Sequence, residues 1–150
     1  MEMVRTALLT LFCLSPLAAA EFSLTIGNPI AANVPRMKTA GLAVRLENCT
    51  DLSTSTLTGT GEGSAGGVRK SVPLQIMTGA IPGVYAVGLG GPLEGPWVAI
   101  LKATCGTARA GAIVPFRGAV FARESVRVFP RFATVAEVEA SLKGQSGGTK

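Results

Sequence analysis

Residues 96–105 read Pro-Trp-Val-Ala-Ile-Leu-Lys-Ala-Thr-Cys. Side chains alternate across a β-strand, so Trp97, Ala99, Leu101, Ala103 and Cys105 fall on one face and Val98, Ile100, Lys102 and Thr104 on the other. The first face is small or apolar throughout, which marks a buried strand ended by the Gly106-Thr107 turn. The same period of two recurs outward from this run. Residues 41–47 set Leu42, Val44 and Leu46 against Arg45 and Glu47, a half-buried strand with one wet side. Residues 84–89 form a strand carrying Tyr85, the only tyrosine, after an Ile81-Pro82-Gly83 turn. Residues 108–116 and 119–128 read as two further strands, with the bend between them at Pro115, Arg117 and Gly118.

Three weaker strands complete the set. Residues 22–26 alternate, and Gly27-Asn28-Pro29 turns them; residues 30–38 are irregular. Residues 53–60 are rich in Thr and Ser around Leu57, a β-branched composition that suits a strand. Residues 68–77 alternate but contain Pro73, which predicts an edge or a bulge. Between the last two lies Gly-Thr-Gly-Glu-Gly-Ser-Ala-Gly-Gly (59–67). It lacks the Lys-Ser/Thr ending and the following helix of a phosphate-binding loop, so it reads as a mobile hairpin turn. At the far end the pattern changes: Thr134 and Glu137 form a capping box, and Val135, Val138 and Leu142 recur at helical spacing. This predicts a helix over 134–142 closed by Gly144. About seven to eight short strands and then one short helix predict an all-β, immunoglobulin-like β-sandwich. Trp97 does not follow the first cysteine closely, as it does in true immunoglobulin domains, so the expectation concerns architecture only.

Residues 1–20 are of another kind. Arg5 precedes an apolar run over 7–14, and Ala18 and Ala20 are the small residues at a signal-peptidase site, so a leader over 1–20 cut after Ala20 is expected. The apolar run is shorter than the about 20 residues a membrane-spanning helix needs. Phe12 stands where a lipoprotein signal would have a small residue before Cys13. The expected organisation is a leader over 1–20, a β domain with its helix over 21–143 and a flexible tail over 144–150, located in the periplasm or outside the cell. Of three cysteines, Cys13 would leave with the leader, and Cys49 and Cys105 would meet an oxidising compartment as a disulfide.

Residues 82–103 resemble a hairpin of small exported β-sandwich modules of the YtkA-like and transthyretin-like kind. The phrase is Pro82-Gly-Val-Tyr-Ala-Val87, then Gly91-Pro-Leu-Glu-Gly-Pro-Trp-Val98, then Ala99-Ile-Leu-Lys-Ala103. The resemblance implies that Tyr85 and Trp97 pack from opposite strands and close one end of the fold. Some such modules occur near copper-handling proteins, which makes a small-ligand or metal carrier the alternative function. The chain has no histidine, which departs from any copper site of that kind.

The missing histidine also excludes Ser-His-Asp and Cys-His catalysis and the commonest general base. A glycosidase would need two carboxylates across an aromatic-lined cleft, and one Trp and one Tyr do not supply one. Glu47 and Asp51 lack the further oxygen ligands of a calcium loop. Met37 and Met77 are read as packing residues rather than Cu(I) ligands. The Asn48-Cys49-Thr50 triplet matches a glycosylation acceptor but contains the bridging cysteine. No catalytic, cofactor or metal residue is therefore expected, and the chain reads as a non-enzymatic interaction module. The net charge is +5, and Glu2 and Arg5 cancel, so leader removal leaves it unchanged. With aromatics at 5 % the basic character does not suggest a nucleic-acid reader. Its densest part, Arg117, Arg123, Arg127 and Arg131, is the candidate interaction strip for an acidic envelope component or another exported protein. Arg123 and Arg127 share parity and would project from one face of a single strand.

Amino-terminal sequencing of exported material should start at Glu21, and its non-reduced mass should show no free thiol; an intact Met1 terminus or two free thiols would contradict the leader and the bridge.

Overall fold

A computed structural model describes residues 20–28, 40–89 and 93–146. Residues 1–19 of the expected leader, residues 29–39 with Met37, residues 90–92 of the Tyr–Trp phrase and residues 147–150 of the expected tail lie outside the described residues.

The fold is all-β with one C-terminal helix. Nine strands are described: β1 (Ser23–Gly27), β2 (Ala40–Glu47), β3 (Ser55–Ala65), β4 (Val68–Thr78), β5 (Val84–Leu89), β6 (Glu94–Cys105), β7 (Ala108–Arg117), β8 (Val120–Phe121) and β9 (Arg127–Phe129); α1 spans Val135–Ser146. All pairings are antiparallel. They form one continuous path, β1-β2-β5-β4-β3-β6-β7-β8, with β9 also on β7. The sheet curls until β1, at one end of the path, lies against β7 and β9.

The inward faces make one core. Leu42, Val44 and Leu46 of β2 meet Trp97, Ala99, Leu101, Ala103 and Cys105 of β6 and Ala110, Ala112, Val114 and Phe116 of β7, as the alternation over 41–47 and 96–105 requires. The outward residues Val98 and Ile100 are buried too, because β9 and α1 cover that side. Phe129, Ile113 and Val138 join them in a second cluster, with Leu142 packed against it. Burial on both faces explains the near-continuous apolar run 97–101.

The glycine-rich segment is strand, not loop. β3 runs through it to Ala65, and the turn is confined to Gly66 and Gly67, at φ 59° and 78°. Two successive left-handed residues are what a tight two-residue hairpin demands. Gly59, Gly61 and Gly63 alternate on the inward side. A Cβ there would stand 2.6 Å from the Ile100 carbonyl oxygen, 2.9 Å from Leu89 Cδ1 and 2.7 Å from Trp97 Cβ, respectively. Their composition signals close approach of strands rather than mobility. Pro73 sits where β4 changes partner: residues through Pro73 pair with β3 and residues from Leu74 pair with β5.

Other particulars differ from the sequence reading. Residues 119–128 are not one strand; a 3₁₀ turn, Arg123–Ser125, separates β8 from β9. The helix continues through Gly144 to Ser146, so Gly144 neither closes it nor begins a tail. Val135 is 78 % exposed, and the helix's buried contacts come from Val138 and Leu142. Trp97 and Tyr85 both join the interior cluster but toward opposite ends. Tyr85 pairs with Thr78 at the end of β4, and Trp97 with Phe116 near the end of β7.

The Cys49–Cys105 disulfide is formed, with Cα atoms 5.7 Å apart. It ties the end of β2 to the end of β6, two strands not adjacent in the sheet. A bridge over 56 residues is worth about 4 kcal/mol in the chain-entropy model.

Gly59→Ala should destabilise by about 1–3 kcal/mol, since backbone and packed side chains oppose the methyl. Gly27→Ala meets open space and should be neutral or stabilising by about 0.4–1 kcal/mol. Urea unfolding of both variants checks the contrast.

Candidate functional site

The segment after the 3₁₀ turn reads Arg127-Val-Phe-Pro-Arg-Phe132. Its first three residues pair with Gly111–Ile113 of β7, and the chain then crosses the outer face of that strand. The crossing is tight, because a Cβ on Gly111 would lie 2.6 Å from the Arg131 carbonyl oxygen. Phe129 is driven inward against Ile113 and Val138, while Phe132 stays half-buried.

Four cations gather on these two rings. The guanidinium carbons of Arg127 and Arg131 lie 5.0 and 5.1 Å from the centre of Phe129. Lys102 Nζ and the Arg109 guanidinium carbon lie 5.6 and 5.2 Å from the centre of Phe132. Ring faces attract cations, by about 0.5–1 kcal/mol at exposed sites, and so hold these side chains on the surface. Lys102 and Arg109 stand on the outward side of β6 and β7, where Lys102 pairs with Gly111 and Thr104 with Arg109.

One carboxylate enters the cluster. Arg131 donates from Nη2 and Nη1 to Glu137 Oε1 and Oε2 at 2.7 and 2.9 Å, and Nη1 also donates to the Phe132 carbonyl at 3.1 Å. The expected capping box is present: Thr134 N–H donates to Glu137 Oε2 at 2.8 Å, and Glu137 N–H to Thr134 Oγ1 at 3.2 Å. The Arg131 guanidinium first, and the Thr134 N–H next, lower the Glu137 carboxyl to about 2. Farther along α1, Arg69 bonds both Glu62 of β3 and Glu139, clipping the helix to the β3–β4 hairpin.

The expected four-arginine strip is thus divided. Arg127 and Arg131 share Phe129. Arg123, in the 3₁₀ turn, stands over Phe121 at 5.6 Å. Arg117 ends β7 and lines a surface cavity of about 580 Å³ with Glu124, Phe121 and Ser141. The parity argument for Arg123 and Arg127 fails because the intervening turn breaks strand geometry. Lys102 and Arg109 were missed as site residues. Their signal was the charged interruption of the outward β6 face and the matching position on its hairpin partner.

The remaining candidates have local structural roles. Thr25 Oγ1 donates to Glu47 Oε1 at 3.1 Å. Asp51 accepts from Ser53 Oγ at 2.6 Å and Ser53 N at 3.0 Å, and these bonds, the side-chain one foremost, hold its carboxyl below the usual range. Asn48 adopts φ 60° and donates to the Glu21 carbonyl at 3.0 Å. Met77 is exposed on β4. Among the described residues no three Cys, Asp or Glu side chains converge on one point, and no helix is long and apolar enough to cross a membrane.

Glu137→Gln should lower the melting temperature at neutral pH by removing the Arg131 pair. The folded-state pKa is depressed, so this stabilisation is fully present above the ordinary carboxyl value of 4.5 and is lost as pH falls through about 2. Thermal melts of wild type and variant should therefore differ at pH 6 and converge near pH 2.

No family model matches this sequence, and no curated protein or solved structure does.

Proposed function

We propose that the chain is an exported, non-enzymatic interaction module that docks an acidic component of the cell envelope, or an acidic exported protein, through the outer face of β6, β7 and β9. The observation that carries this reading is the set of four cations, Lys102, Arg109, Arg127 and Arg131, held over Phe129 and Phe132 with Glu137 as the carboxylate bonded to it. Cations held by rings lose less freedom on binding than free ones, and their summed field draws an acidic surface toward this face. The leader-like segment and the disulfide support export to an oxidising compartment. The module would belong to the general class of small exported β domains that the Tyr85–Trp97 phrase resembles. Arg117 and Arg123 stand outside the docking face in this reading.

The test compares wild type with Arg109→Glu/Arg127→Glu and with Arg117→Glu/Arg123→Glu for retention on an anionic polysaccharide matrix and on anionic vesicles. Wild-type retention should fall with salt and be lost in the first double variant, with the second retained nearly as well as wild type. Equal retention of all three proteins at every salt concentration would overturn the docking face.

A further inference from the structure

The inner side of β6 and β7 offers a second, chemically opposite site. The ends of the curled sheet differ. At one, the disulfide joins β2 to β6. At the other, where β2 and β6 begin and β5 and β7 end, a cavity of about 440 Å³ opens to the surface. That volume is within the about 300–1,000 Å³ of ordinary small-molecule sites.

Its lining includes Leu42, Leu74, Leu89 and Leu93 and the Trp97–Phe116 pair. The two rings are stacked, with centroids 4.1 Å apart and planes 9° from parallel. Trp97 Nε1 donates to the Gly118 carbonyl at 3.0 Å, which anchors the indole and removes its only donor from the cavity. Gly41 and Gly88 also line the space and fill none of it with side chain. Among the described residues no charged side chain lines the cavity.

We propose that this cavity binds one small, uncharged, apolar molecule, an aliphatic chain or an aromatic ring, taken up from solution. The chemistry decides the class. An ion or a polyhydroxylated ligand would surrender its hydration there and find no free side-chain partner among the described lining residues. An apolar guest removes its own surface and that of the leucines from water. Trp97 then acts as a fixed wall of the site as well as a core residue. The cavity and the basic face lie on opposite sides of the same two strands, so either can fail without the other.

The probe is N-phenyl-1-naphthylamine, which is uncharged and brightens in apolar surroundings. Trp97 is the only tryptophan, so loss of its emission through energy transfer reports binding beside it. Wild-type protein should give saturable one-to-one binding with loss of Trp97 emission and displacement by 1-decanol. Leu93→Lys, at the half-buried rim, and Ala119→Lys, on an exposed residue of the lining, should each weaken binding at least tenfold. Val120→Lys, outside the lining, should leave it unchanged. Ala119→Lys touches no buried position and keeps the test valid if Leu93→Lys does not fold. Linear uptake without saturation, equal binding by both lining variants and wild type, or displacement by phosphatidylcholine vesicles but not by 1-decanol would overturn the proposal.

Discussion

The fold depends on how closely β3 can lie against β6. β3 is bonded along one edge to β6 and, over its second half, to β4 along the other. This is where the β1-β2-β5-β4 part of the sheet must turn over the β6-β7 part. Side chains on the inward face of such a bend would collide. Glycine at positions 59, 61 and 63 removes them, and the interior is instead filled from facing strands by Leu74, Leu101, Leu89 and Trp97. A curled sheet needs points where side chains are absent, and this chain concentrates them in one strand. At the open end Gly41 likewise leaves room for the ring of Phe116, which a Cβ there would approach to 3.0 Å.

Once the sheet has curled, β6 and β7 divide the molecule into two chemical environments. Their inward residues belong to the main core. Their outward residues need a separate cover, which the chain after Arg117 provides as two short strands, a crossing segment and α1. That cover rests on a small apolar cluster around Phe129 and Val138, supplemented at the surface by Arg131–Glu137 and Arg69–Glu139. Exposed ion pairs contribute modestly and are weakened by salt. The crossing segment brings two phenylalanines to the surface of β7, and these rings organise the neighbouring cations. Charge on this face thus follows from how the helix is attached.

Much of this was legible in the chain. Strict alternation around Trp97 and Val44 identified the strands that supply most of the core, because burial on at least one face leaves a pattern with period two. Thr134 and Glu137 announced the helix start, because a capping box is local chemistry. The disulfide followed from counting cysteines. Two kinds of feature were hidden. Gly59, Gly61 and Gly63 have the composition of a loop, and only the approach of β6 shows why a strand requires them. The arrangement of cations depends on register: Lys102 and Arg109 come near Phe132 through the β6–β7 pairing and the path of the chain beyond β9, neither of which has a local signature. Arg123 was misplaced for a related reason, since a single 3₁₀ turn interrupts strand parity without leaving a proline or glycine to mark it. The open-end cavity is set by side chains from five strands, and no segment of sequence encodes it alone.

The partner change at Pro73 has a bearing on how the protein avoids its own kind. Residues 68–72 of β4 pair with β3 on one edge and carry no second ladder among the described residues. Such an edge presents unmet N–H and C=O groups to any extended chain in the vicinity and is where strands from different molecules add and fibrils begin. Here the edge carries Arg69 and Lys70 and ends at a residue with no N–H to offer. Arg69 is taken up by Glu62 and Glu139, so Lys70 is the charge that an identical edge would meet, and the proline stops a ladder that has begun. In a chain that is 47 % hydrophobic, the edge left open among the described residues thus carries a lysine and a terminating proline, the features that discourage strand addition.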